Sequence, residues 1–402
     1  MKFWLKFSLL NIFIVAIIGV FMRYKISFEF PYLDQKNLQQ SHHYFAFYGW
    51  ISHTLMTLVV YYLKKTTTNF SQNKYNKILF SNLICSYGML VSFIIGGLSL
   101  FSGIFSTISI LISYVFAYQI FKDIRQLDDT LLSKKWFKVA VSFNVCSSLG
   151  IFTLFYMMLS GLFRQDLYLS CVYYYLHFQY NGWFFFACMG LFFGLLDLKK
   201  TEHPFYETAF KLFTLSCIPC YFLSMLWLKL PIWIYVITVI FAIIQAFTWF
   251  KFLLILYKIK RNLIKSYPLL LKYILLFVGF CLSIKLLLQL GSTIPIVSKL
   301  AFGFRPIVIA YLHLVLLGII SLFLLFYIYT ENLFFLNEKI KFGLFIFSLG
   351  VLLNEFALTV QGIGAFSYIV IPYINEILFI ISLILVLGTG TIAFFSRNIN
   401  KD

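Results

Sequence analysis

Three histidines recur at matched places along the chain, and each of them precedes a glycine by five or six residues. The pairs are His43 with Gly49, His177 with Gly182, and His313 with Gly318. The histidines are 134 and 136 residues apart, and the glycines are 133 and 136 residues apart. A neutral imidazole is the commonest metal ligand in proteins and also an axial ligand of haem iron. In an apolar helix the alternative role is an interhelical hydrogen bond.

Other residues whose side chains could bind a ligand or take part in chemistry also lie in or beside apolar segments. Arg305 begins the segment of the third histidine and has a guanidinium that suits a carboxylate, although lipid phosphate is an alternative partner. Lys285 and Glu355 are ionisable residues at membrane depth, which could pair, carry protons or bind a polar substrate. The run Cys217–Cys220 has the spacing of a redox pair, but its proline and apolar surroundings favour a kink with two buried cysteines.

The composition identifies the elements that must position these residues. Of 402 residues, 61% are apolar and 11% are charged, with a mean hydropathy of +0.91, whereas soluble domains have roughly 25% charged residues. Apolar runs of about twenty residues recur and match a hydrocarbon core about 30 Å thick. The net charge of +18 lies in short loops, so no nucleic-acid partner is predicted and the lipid bilayer is the expected surrounding. The sequence predicts an all-α polytopic membrane protein that forms one integral membrane domain over residues 1–402.

The apolar runs predict twelve membrane spans joined by short loops. The predicted spans are 3–22, 39–63, 76–96, 99–121, 137–162, 168–196, 205–228, 231–257, 268–290, 305–329, 340–361 and 372–396. The first apolar run lacks a small-residue cleavage site, and we interpret it as a retained span.

Positive charge predicts the orientation of these spans. The N-terminus, alternate loops and the C-terminal tail contain 21 Lys and Arg residues, and the opposite loops contain seven. Because positive residues concentrate on the cytoplasmic side, both termini are predicted to be cytoplasmic, in the bacterial inner membrane.

The histidine spacing also predicts three blocks of four helices. One third of the chain is 134 residues, which gives pseudo-repeats of about 1–134, 135–268 and 269–402. The second helix of each block then enters from the outer face and contains the histidine. In the first block, His42, Ala46, Gly49 and His53 would share one face of an α-helix. This spacing favours His42 over His43 as the inward residue, and both remain candidates.

Twelve helices in three arcs, with histidines in the second, sixth and tenth, resemble subunit I of the heme-copper oxidase superfamily. The resemblance implies that His42 or His43 and His313 bind one low-spin haem b and that His177 is a copper ligand. If a haem binds there, the guanidinium of Arg305 suits its propionates. The resemblance further implies a respiratory-chain role in electron transfer or in handling NO or O2, with a redox partner subunit. The twelve-helix nitric-oxide-response (NnrS-like) proteins are similar in helix number.

Two departures from the oxidase pattern argue against a complete copper site. The seventh predicted span has no histidine, and Tyr311 occupies the place of the first of two histidines on the tenth. Together with Lys285 and Glu355, Tyr311 is a candidate for a polar network.

Two other classes of protein also fit twelve apolar spans. A secondary transporter for a small polar solute would use Glu355 and Lys285 in a central cavity. A membrane transferase would use the acidic residues of the cytoplasmic loop 121–136, which is more typical of a solvated connector.

Overall fold

The computed structural model describes residues 1–67, 70–162, 164–199 and 201–396, and within these ranges it contains helices and no strand. Lys200, Arg397 and Lys401, which contribute to the orientation prediction, lie outside the described residues. The α-helices are α1 (Lys2–Ser27), α2 (Gln35–Tyr44), α3 (His53–Thr66), α4 (Gln72–Gly96), α5 (Leu100–Asp123), α6 (Leu132–Ser160), α7 (Gln165–His177), α8 (Phe185–Leu195), α9 (Phe205–Cys217), α10 (Ile232–Ser266), α11 (Leu269–Gly291), α12 (Pro295–Gly303), α13 (Arg305–His313), α14 (Leu322–Thr330), α15 (Glu338–Phe366) and α16 (Ile374–Phe395). Three π-helical segments, π1 (Phe45–Ser52), π2 (Phe178–Phe184) and π3 (Leu314–Ser321), connect pairs of these helices, and Ile124–Gln126 and Pro219–Met225 are 3₁₀-helical.

Many of these helices suit a lipid environment. Among the described residues, nine helical segments are long and apolar enough to cross a membrane, or ten if α9 and the bent 3₁₀ segment after it are one span. Their outer surfaces expose large apolar side chains, such as Ile95 at 79% and Phe356 at 70%. The prediction of an all-helical membrane protein is therefore confirmed. The twelve predicted spans exceed the nine or ten that meet these criteria.

The described residues group into two compact units. Unit 1 comprises Met1–Tyr118, Leu269–Leu275 and Ile320–Asp402, and unit 2 comprises Gln119–Pro268 and Leu276–Ile319.

In unit 1, helices α15, α16 and α1 pack closely through glycines. A Cβ atom at Gly388 of α16 would lie 2.6 Å from the backbone nitrogen of Phe347 in α15. A Cβ atom at Gly390 would lie 2.9 Å from the ring of Phe13 in α1. Small residues let membrane helices approach until their backbones are in contact, so these glycines set the helix spacing.

The wide π1 turn of unit 1 is held by amides from two other helices. The side-chain amide of Asn11 in α1 donates to the Gly49 carbonyl at 2.6 Å, and that of Asn82 in α4 donates to the Tyr48 carbonyl at 3.3 Å. Backbone groups in a membrane interior need protein partners when the helix does not satisfy them. Asn11 and Asn82 therefore stabilise the irregular turn.

In unit 2, α6 packs against α7, π2 and α8. A Cβ atom at Gly182 in π2 would lie 2.7 Å from the Cβ atom of Phe143 in α6. The Gln179 amide donates to Asn144 at 3.0 Å and to Ser147 at 2.8 Å, within the buried interface. This contact places the predicted sixth span beside the fifth.

The predicted kink in the seventh span is confirmed. Helix α9 ends at Cys217, and the 3₁₀ segment that begins at Pro219 is bent away from it by 43°. Cys217 and Cys220 are both buried, with 1% of their surface exposed. The loop after α11 contains the short helix α12, which the sequence analysis did not predict.

Candidate functional site

The three matched histidines lie just before the three π-helical segments. Helix α7 ends at His177 and α13 ends at His313, and a π segment begins at the next residue in both cases. Segment π1 begins two residues after His43. Each π segment begins four residues before its glycine, so the segments recur at the glycine spacing of 133 and 136 residues. Because π turns often occur at functional sites, this recurrence marks the three places as candidates.

The geometry of His313 in unit 2 suits a ligand to iron. Its Nδ1–H donates to the Ile309 carbonyl of the preceding turn at 2.8 Å. A carbonyl only accepts hydrogen bonds, so this contact fixes the tautomer in which Nε2 carries the lone pair. Metal-binding histidines are commonly oriented by such a bond from their other nitrogen. The residue therefore fits an axial ligand.

The two adjacent histidines of unit 1 differ in their surroundings. The His42 ring is half-buried against α1, with Cε1 3.5 Å from the position of a Cβ atom at Gly19. His43 is exposed. His42 is therefore the inward-facing residue of the pair, next to a glycine that leaves space beside its ring.

Both ring nitrogens of His177 in unit 2 form hydrogen bonds within the protein. Its Nε2–H donates to the Cys217 carbonyl at 2.8 Å, and Nδ1 accepts from the Asn181 amide at 3.2 Å. The Cys217 carbonyl is accessible at the kink, where the Tyr221 N–H donates to the Ile218 carbonyl instead. A copper ligand needs an imidazole lone pair, and here that lone pair is occupied. The arrangement suits the interhelical hydrogen bond that was the alternative prediction.

We expect His177→Ala to lower stability without removing any bound haem. The substitution leaves the buried Cys217 carbonyl and Asn181 amide without these partners, which costs about 1–3 kcal/mol. Thermal unfolding of the detergent-purified protein measures the loss. The control His43→Ala removes an exposed ring and should change stability by less than about 0.5 kcal/mol. Equal unfolding temperatures for the two variants would contradict the structural role.

The predicted common face of His42 and His53 is interrupted. The prediction assumes an α-helical period throughout, but π1 lies between the two residues and its hydrogen bonds reach five residues back. His53 is fully buried, and its Nδ1 accepts from the Asn82 amide at 3.3 Å. It belongs to the same interhelical contact that holds π1.

The other candidate residues occupy separate places. Arg305 is exposed at the first residue of α13, and the Tyr311 ring lies 6.4 Å from that of Tyr180 in unit 2. Glu355 in unit 1 is half-buried and accepts from the adjacent Asn354 amide at 3.3 Å. Lys285 in unit 2 is buried, with 5% of its surface exposed. Across the described ranges, no ion pair joins Glu355 or Lys285 to an opposite charge within its own unit.

The structure and the comparisons define only the class of protein. Within the part of the chain that the structure describes, no group of three or more His, Cys, Asp or Glu side chains could hold a metal ion. The chain is a helical membrane protein in which histidines precede irregular turns. No protein-family model and no curated protein matches it.

Proposed function

We propose that this protein binds one haem b through His313 and His42, with His43 as the alternative to His42, and acts in electron transfer or in binding a diatomic gas. It has no complete copper site in this proposal, because His177 is engaged in hydrogen bonds with Cys217 and Asn181. The bound haem would supply a one-electron redox centre or an iron that binds a gas.

A hydrogen bond between the second and tenth predicted spans carries this proposal. In unit 1, the Trp50 indole N–H donates to the Ser321 hydroxyl at 2.8 Å, and both residues are buried. Trp50 lies eight residues after His42, and Ser321 lies eight residues after His313. The bond therefore joins two helices that each have a proposed histidine ligand about two turns earlier in the sequence.

The protein residues have separate tasks in this proposal. The Ile309 carbonyl orients the His313 ring and favours the tautomer with a lone pair on Nε2. Gly19 leaves space beside the His42 ring. Arg305, at the exposed start of α13, would neutralise a propionate.

The proposal includes twelve spans in three pseudo-repeats, with both termini in the cytoplasm of a bacterial cell. The number of candidate spans rises from ten to twelve if the two continuous helical segments that contain π1 and π2 also cross the membrane. These segments extend over 35–66 and 165–195 and have about 30 residues each, which exceeds the roughly 20 residues needed. Their lower hydropathy follows from the polar residues around the histidines.

An absorption spectrum tests the haem proposal. The detergent-purified protein, expressed in cells supplied with a haem precursor, should show a Soret band and, after dithionite, the α and β bands of haem b. A colourless protein that folds and stays monodisperse would overturn the proposal, and the transporter hypothesis would then take precedence.

We expect Trp50→Phe to weaken haem retention as well as stability. The substitution removes the donor to Ser321 and costs about 1 kcal/mol of folding free energy, and it loosens the two helices that bear the proposed ligands. The matched control is Trp249→Phe, which removes an equivalent indole bond to Ser283 at 2.9 Å in unit 2. Haem content per protein, measured as the pyridine haemochrome, should fall for Trp50→Phe alone. An equal fall in both variants would refute a specific role for Trp50.

A further inference from the structure

The buried face of α11 in unit 2 contains a lysine that the haem proposal does not use. Lys285 lies between Leu282 and Leu286, and the exposed fractions of the three are 5%, 5% and 3%. It is six residues before the outer end of the helix, which corresponds to about 9 Å. Helical side chains lean toward the N-terminus, which here is away from that end, so the ammonium does not reach the outer surface easily.

The kink of the seventh predicted span lies beside Lys285. Leu290 of α11, five residues after Lys285, packs against the buried cluster of Cys220, Leu223 and Ala242 at the kink. Interrupted membrane helices commonly form binding sites, because irregular backbone at membrane depth is tolerated where it lines a cavity.

A second polar side chain on the same face of α11 has an oxygen that no described residue contacts by a hydrogen bond. Gln289 is one turn after Lys285, is 8% exposed, and has a side-chain oxygen without a hydrogen-bond partner among the described residues. A buried amide oxygen without a partner costs free energy. The amide can also be oriented with its N–H groups toward a ligand, because the two orientations are nearly indistinguishable by shape.

We infer that Lys285 and Gln289 form a binding site for a carboxylate near the outer face of unit 2. A buried ammonium is costly unless an anion pairs with it, and no carboxylate of the described ranges forms an ion pair with Lys285. A carboxylate accepts one hydrogen bond from the ammonium and a second from the amide. Its source is either a free organic acid from the outer side or a haem propionate. The site does not depend on the haem proposal.

Acetate is the probe for this site. At constant ionic strength, replacing chloride with acetate should raise the unfolding temperature of the haem-free wild-type protein by about 2 °C or more once the site is mostly occupied. Lys285→Met should remove this acetate effect, and it should not destabilise the protein in chloride, because a hydrophobic residue replaces an unpaired buried charge. The control Lys299→Met removes an exposed lysine in α12 and should retain the effect. If Lys285→Met fails to fold, Gln289→Leu provides the alternative test of the site. This substitution should reduce the rise in unfolding temperature that acetate produces.

The two sources of the carboxylate give different results. A free organic acid predicts that acetate stabilises haem-containing and haem-free protein equally. A propionate predicts that acetate stabilises only the haem-free form and that Lys285→Met lowers haem content. The proposed site is overturned if acetate does not raise the unfolding temperature of the haem-free wild type. It is also overturned if acetate raises the unfolding temperatures of Lys285→Met and Gln289→Leu as much as that of the wild type. A colourless wild type that still responds to acetate would leave the site supported and the haem proposal refuted.

Discussion

His313→Ala should abolish the Soret band of the purified protein. The side chain is the one histidine of unit 2, among the described residues, whose Nδ1–H is bound to a carbonyl of its own helix turn, which leaves Nε2 with the lone pair that iron requires. Loss of one axial ligand from a two-histidine site removes a direct bond to iron, so haem should be lost during purification. The measurement is the Soret absorbance per protein, with the pyridine haemochrome as a check on total haem.

The matched variants separate ligand loss from general damage. His177→Ala removes the histidine at the equivalent place in the preceding pseudo-repeat and should keep the Soret band despite lower stability. His42→Ala should lose the band and His43→Ala should keep it, because the His42 ring lies half-buried against α1 and His43 is exposed. A Soret band of wild-type intensity in His313→Ala would rule out this residue as a ligand.

Gly388→Ala should destabilise unit 1 through a single added methyl group. The added Cβ atom would lie 2.6 Å from the Phe347 nitrogen and 2.8 Å from its Cα atom, and a backbone cannot rotate away as a side chain can. Helices α15 and α16 must therefore separate, and overpacking of this kind costs about 1–3 kcal/mol. The measurement is the thermal unfolding midpoint in a fixed detergent.

The control for this variant is another membrane-helix glycine of unit 1. Gly103 in α5 has no atom within 4 Å of an added Cβ atom, so Gly103→Ala should be neutral or slightly stabilising, because alanine favours the helix. If Gly388→Ala unfolds at the same temperature as Gly103→Ala, the conclusion that α15 and α16 are in backbone contact at Gly388 is wrong.

Hydropathy and proline placement predicted the features of the fold that depend on local sequence. The apolar runs predicted α11 over 268–290, and the helix occupies Leu269–Gly291. Pro219 predicted the break of the seventh span because it lacks a backbone N–H. The three π segments were not predicted. Segment π1 depends on Asn11 and Asn82, which are distant in sequence from the turn that they stabilise.

The candidate site was predictable only in part, because it too depends on contacts between residues that are distant in sequence. The matched spacing located the three histidines, but the role of His177 depends on the Cys217 carbonyl, 40 residues away. Two local signals could have indicated that role. Asn181 lies one helical turn after His177, and Pro219 lies two residues after Cys217. Asn181 supplies a side-chain amide, and Pro219 marks the kink at which the Cys217 carbonyl becomes available to a buried imidazole.

The π1 turn makes the shape of one helix depend on its neighbours. An isolated copy of this segment in lipid would lose the amide donors Asn11, to the Gly49 carbonyl, and Asn82, to the Tyr48 carbonyl, and hydrocarbon offers no substitute for them. The Tyr48 carbonyl would keep only the backbone N–H of His53. The wide turn is therefore a property of the assembled bundle rather than of the segment alone. Any change that separates α1 or α4 from this helix removes the hydrogen bonds that stabilise the wide turn. Without the turn, the side chains after it would point in different directions around the helix axis.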